Sequence, residues 1–112
     1  MRDPRLALLD IQRALAEIDE FIKGKSIDDY LVDRMLQASV ERSIEIVSEA
    51  SRRIPVSLRR KHLETPWTKI AAIGNVLRHQ YHEVDSLVIW NVVVRELPPL
   101  AGVIRSMLND LE

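Results

Sequence analysis

The stretch DSLVIWNVVVRELPPL, Asp85 to Leu100, decides the fold class. Its middle, LVIWNVVV, is rich in β-branched residues and can be read as a buried strand. Two boundary features argue for a helix. Asp85 stands as a side-chain cap in front of the apolar run, and Pro98-Pro99 stands as its stop. No other segment of the chain offers a strand-like partner. The run is therefore predicted as a helix over Leu87–Leu97, with a last helix from Leu100 to Leu111. On that reading nothing in the chain needs a sheet.

The remaining segments agree. Only three glycines and five prolines punctuate 112 residues, which favours few, long elements. Asp3-Pro4 is a cap followed by proline at the first helical position. Leu8, Ile11, Leu15, Ile18 and Ile22 then recur at three- and four-residue steps, with Ala14 and Phe21 widening the stripe, until Gly24 stops the helix. Ser26 can cap a second helix, with Asp28 and Asp29 against its N-terminal dipole. This helix is predicted to run from Ile27 to Arg53, with Leu31, Met35, Leu36, Val40, Ile44 and Val47 on its apolar side. Glu41, Glu45 and Glu49 stack along it at four-residue steps. That row reads either as a solvated face or as a polar seam aimed at a site or partner. Pro55 ends the pattern, SLRRKHLE connects with at most one helical turn, and Thr65-Pro66 opens a third helix from Trp67 to His82. The expected fold is an all-α, four- to five-helix antiparallel bundle in one domain spanning residues 1–112.

Composition bounds the function. The net charge of −1 supplies no global field toward nucleic acid or membrane, so any RNA contact must come from a local patch. There is no cysteine, which removes disulfides, thiolate nucleophiles and cysteine-based zinc sites, and suits a cytoplasmic protein. The first residues carry charges too often for a signal peptide, and no segment approaches the roughly 20 apolar residues that span a bilayer.

Chemistry concentrates in GNVLRHQYHEVD, Gly74 to Asp85. Asn75 and His79 share a helix face, so Asn75 can hydrogen-bond an imidazole nitrogen and fix its tautomer. Arg78 lies about 100° round from His79 on an ideal helix and reaches the same phosphate only by bending its stem. His79 and His82, three apart, invite a metal reading, but two ligands do not make a site and no HExxH pattern exists. No metal or cofactor is expected. Tyr81 reads from its chemistry as a half-buried helix residue with a wet hydroxyl. Trp67 and Trp90 read as core or interface anchors. Arg52, Arg53, Arg59, Arg60, Lys61 and His62 form a basic cluster. Part of it complements the C-terminal dipole of the second helix, and the sharper reading is an RNA- or partner-binding rim.

The chain resembles the HepT-like proteins of the HEPN superfamily. The resemblance covers nearly the whole length and rests on VERSIEIVSEA, on TPWTKIAAIGNVLRHQYHEVD and on VIWNVVVRELPPL. It implies a small helical ribonuclease that dimerises to bring two motifs together, acting as a toxin beside an MNT-type nucleotidyltransferase antitoxin. The family motif is an Arg, four to six residues, then a His, often followed by x-Tyr. It places the histidine at His79 and the tyrosine, a target for AMP transfer, at Tyr81. The family reads Arg-Asn before this point. Here the Asn is Asn75, the Arg position is Gly74, and Arg78 is the nearest cationic substitute. The alternative is a catalytically degenerate helical protein that binds a nucleotidyltransferase as a dimer.

Overall fold

A computed structural model describes residues 3–79 and 85–112. Seven α-helices follow one another among these residues, without a strand: α1 (Pro4–Ile22), α2 (Ile27–Val32), α3 (Arg34–Ser51), α4 (Val56–Arg59), α5 (Trp67–His79), α6 (Ser86–Asn91) and α7 (Pro98–Asp110). A π-helical turn, Val92–Glu96, joins α6 to α7. The long helices make the bundle: α3 packs against both α1 and α5, and α7 lies on α1. Among the described residues no single helix is long and apolar enough to cross a membrane.

Local chemistry sets most boundaries where the residue pattern places them. The Asp3 carboxylate accepts the Arg5 backbone N–H ahead of Pro4. Gly24 takes a left-handed φ of 72° just beyond α1, a conformation other residues rarely adopt. Ser26 and Asp29 form a reciprocal capping box. Asp85 caps α6 by accepting the Leu87 N–H at 2.8 Å.

Two boundaries differ from the sequence reading. The predicted helix from Ile27 to Arg53 is two helices, broken at Asp33, whose carboxylate accepts the Leu36 N–H at 3.0 Å and starts α3 afresh. Leu31 and Met35, assigned to the apolar face of one continuous helix, are exposed as a result, Met35 by 81%. Leu36, Val40, Ile44 and Val47 carry the core contact of α3. Pro98-Pro99 ends the preceding element but also opens α7, since the first helical turn needs no proline N–H.

The decisive run is helical. Ile89, Val92, Val93 and Leu97 are buried at helical spacing, whereas Leu87, Val88 and Val94 face outward. The Leu97 N–H reaches back to the Val92 carbonyl at 2.8 Å, closing the π-turn. Both tryptophans anchor the bundle from partly buried positions. Trp90 stacks on the buried Tyr30 ring with centroids 5.3 Å apart, and Trp67 Nε1 donates to the His62 carbonyl at 3.0 Å. The Tyr30 hydroxyl is buried without a hydrogen-bond partner among the described residues, and burial pushes its pKa far above that of a free tyrosine.

Candidate functional site

α5 carries the motif, and its seating on α3 explains the glycine in it. Ser48, a buried residue of α3, donates its hydroxyl to the Ala71 carbonyl at 2.8 Å and accepts the Gly74 N–H at 3.1 Å. A Cβ at position 74 would stand 2.5 Å from Ser48 Oγ and 2.8 Å from Ser48 Cβ. Rotating the hydroxyl relieves the first contact. The second is fixed by the backbone of α3, so only glycine fits. The close approach that a glycine permits is here the approach of another helix. Arg52 adds a second tie, its guanidinium donating to the same Ala71 carbonyl at 2.6 Å.

One turn further along α5, Arg78 Nη2 donates to Asn75 Oδ1 at 2.8 Å, with both residues exposed. The structure therefore brings Arg78 and Asn75 together. The Asn75 carbonyl oxygen accepts from Arg78, and its NH2 group makes no hydrogen bond among the described residues. The backbone of His79 falls on α5. Its side chain, and the whole of Gln80, Tyr81 and His82, lie outside the described residues. This includes the modification site expected at Tyr81 and the end of the helix predicted to reach His82.

The Arg78 guanidinium borders a cleft of about 240 Å³ between α3 and the end of α5, lined by Arg42, Glu45, Ile46, Glu49, Arg53 and Arg78. The glutamate row is thus a seam along a cleft rather than a uniformly solvated face. Glu45 and Glu49 line it, and Glu41 is half-buried, its carboxyl held above the usual range by desolvation and then by the charge of Glu45. The opposite edge of α5 is apolar. There Ala72, Val76 and Leu77 face Val88 and Ile89 across a groove of about 560 Å³.

The basic cluster divides. Arg52 holds α5, Arg53 pairs with Asp10 of α1 at 3.1 Å, and Arg59 Nε donates to the Ile54 carbonyl at 3.1 Å. Those three act within the fold, through partners on α5, α1 and the α3–α4 connection. Arg60 and Lys61 are exposed. Sequence reasoning missed Ser48 and the place of Arg42 in the cleft. A signal for Ser48 existed: Ser43, Ser48 and Ser51 interrupt the apolar face of α3, and small residues there mark a close helix approach.

A family model described as "Ribonuclease HepT-like" matches residues 11–107, from the second turn of α1 to the last turns of α7. The chain belongs to the HepT-like ribonuclease family. Among its relatives, a protein of Caldanaerobacter subterraneus subsp. tengcongensis named provisionally as an RNase is 33% identical over 109 residues, 97% of each chain. A probable ribonuclease HepT of Thermococcus cleftensis is 39% identical over 95 residues, 85% of this chain and 86% of the other. No solved structure matches the chain. In this HepT-like chain the space beside Gly74 is filled by Ser48.

Proposed function

We propose that the protein is a metal-independent endoribonuclease in which His79 transfers protons and Arg78 clamps the scissile phosphate. The carrying observation is the exposed Arg78–Asn75 pair, one turn of α5 that ends beside His79. Cleavage needs the 2′-hydroxyl to lose a proton and attack phosphorus, the P–O5′ bond to break, and the 5′-oxygen to gain a proton. A histidine with a pKa near 6.5 serves either proton transfer. A guanidinium held by Asn75 is preorganised for the charge that builds on the phosphate. Arg60 and Lys61, exposed cations of the basic cluster, would supply salt-sensitive contact with the RNA backbone.

The reading includes a homodimer that sets two motifs across one groove. The exposed apolar edge formed by Val76, Leu87 and Val88 supports it, being wider than the core of so small a domain requires. Sedimentation at micromolar concentration should give a dimer, and a monomer would remove this part of the proposal. With purified protein, Arg78→Ala should cost about 2–3 kcal/mol of transition-state stabilisation, roughly a hundredfold in rate. Unchanged cleavage would contradict the assignment of Arg78.

We further place the protein in the cytoplasm as the toxin of a pair, neutralised by an MNT-type nucleotidyltransferase. In that step the Tyr81 oxygen attacks the α-phosphorus of ATP, pyrophosphate leaves and the phenolic proton is released. The AMP phosphodiester would sit close in sequence to Arg78 and His79 and occupy the place of substrate phosphate. Co-expression with a neighbouring nucleotidyltransferase should yield an AMP adduct on the Tyr81 peptide that Tyr81→Phe lacks. An inactive complex of unmodified chains would instead mean steric masking. The second reading, a catalytically inert dimeric partner of such an enzyme, draws on Gly74, where no arginine side chain fits against Ser48. Absence of any RNA cleavage would favour it.

A further inference from the structure

The glutamate seam has no part in proton transfer or phosphate binding, yet it shares a cleft with Arg78. Within that cleft most charges are engaged. Arg53 is paired with Asp10 at 3.1 Å, and Arg42 lies 4.0 Å from Glu45. Glu49 is exposed and makes no ion pair among the described residues, although three arginines line the same space. Among the described residues Arg78 makes one hydrogen bond, to Asn75, which uses part of its donor fork. An open carboxylate and an open guanidinium therefore border one cleft without neutralising each other. A ligand that engages the guanidinium and makes a bidentate contact with the carboxylate brings an anion and a pair of adjacent N–H donors.

RNA contains one such unit. An ionised carboxylate only accepts hydrogen bonds. Adenine and cytosine each offer it a donor beside an acceptor, and uracil a donor flanked by acceptors. Guanine alone presents two adjacent donors, N1–H and N2–H, that match a carboxylate. The cleft's volume of about 240 Å³ suits a single base, being below the roughly 300–1,000 Å³ that holds a drug-sized ligand. Ile46 gives it an apolar wall, and Arg53, paired with Asp10, lines it beside Arg42. The carboxylates repel the phosphate backbone, so a strand crossing here turns a base inward and leaves its phosphate toward Arg78.

We infer that the cleft between α3 and the end of α5 is a nucleobase subsite that selects guanine beside the scissile phosphate, with Glu49 as the specificity-determining residue. This rests on the ribonuclease reading, but a binding measurement decides it separately. Two assays use the full chain. In the first, cleavage of an RNA of mixed sequence is mapped for wild type and Glu49→Gln. The wild type cuts beside guanine about tenfold or more above other bases, the scale of one bidentate base contact. In Glu49→Gln, whose amide matches the donor and acceptor of adenine, the guanine-to-adenine ratio falls by a similar factor. In the second, guanosine 3′-monophosphate and adenosine 3′-monophosphate are titrated into isotope-labelled protein and followed by NMR. The guanine nucleotide binds about tenfold tighter, shifting α3 resonances near Glu49 and the Arg78 side chain, and Glu49→Gln removes the difference. Equal binding of the two nucleotides and of inorganic phosphate overturns the inference, as does cleavage whose base preference survives Glu49→Gln. If the wild type cuts no RNA, the ribonuclease reading fails and the nucleotide titration alone upholds or overturns the guanine subsite.

Discussion

On the proposed mechanism, replacing His79 by alanine should lower RNA cleavage by about two to four orders of magnitude, in a variant whose thermal unfolding midpoint is compared with that of the wild type. The size follows from losing a positioned proton-transfer group, which typically contributes about 10²–10⁴-fold. The loss should exceed that from Arg78→Ala, because an arginine clamp removes one source of charge stabilisation while proton transfer continues. The relative sizes matter. A larger loss from Arg78→Ala than from His79→Ala would mean that the histidine is not the acid or base, and that phosphate electrostatics carry the reaction. Normal cleavage by His79→Ala would remove the site from α5 altogether. Initial rates on a labelled RNA, with circular dichroism melts of each variant, measure both quantities.

The second large effect is on stability, and its sign is diagnostic. At an exposed helix position, Gly→Ala stabilises by about 1 kcal/mol through helix propensity. At Gly74 the sign reverses. The added methyl would stand 2.8 Å from Ser48 Cβ, and neither atom can move without separating α3 from α5. Overpacking of this kind costs about 1–3 kcal/mol, and the Gly74 N–H to Ser48 bond is stretched with it. Gly74→Ala should therefore lower the midpoint by several degrees, and Gly74→Arg by more. Ser48→Gly combined with Gly74→Ala removes the overlap and recovers part of the loss. A Gly74→Ala protein more stable than wild type would show that the two helices do not meet here. The same geometry bears on function: an arginine introduced at position 74 would unseat α5.

Much of this fold is written in short-range chemistry, and the exceptions have physical causes. Asp3-Pro4, Ser26 with Asp29, Gly24 and Asp85 each act within a few residues of themselves, so their roles are readable in the chain. Asp33 is also a local cap. It was hidden because Leu31 and Met35 stand at helical spacing from Val40 and Ile44, which lets one continuous stripe be drawn through the break. The double role of Pro98-Pro99 reflects a tolerance of the first helical turn that a stop signal does not reveal. The site was legible in part. The resemblance to the family, rather than spacing alone, singles out Asn75 and His79, with Arg78 as the nearest cation, and the pairing of Arg78 with Asn75 is an i,i+3 contact that helix geometry allows. What spacing could not supply was the helix opposite. The claim of the Ala71 carbonyl on Arg52, the pairing of Arg53 with Asp10, and the meeting of Glu45 and Glu49 with Arg78 all depend on tertiary placement. For the same reason a cluster that reads as one basic patch divides into cations that brace the fold and cations that face outward.

The central claim is that α5 delivers metal-free, 2′-hydroxyl-driven RNA cleavage. It is tested most directly by incubating a 5′-labelled RNA with purified protein in excess chelator and determining the ends of the fragments. Attack by the 2′-oxygen leaves a 2′,3′-cyclic phosphate on one fragment and a 5′-hydroxyl on the other. The expected products carry those ends, at a rate the chelator does not change. Products with 5′-phosphate ends, or cleavage abolished by the chelator and restored by a divalent cation, would contradict it.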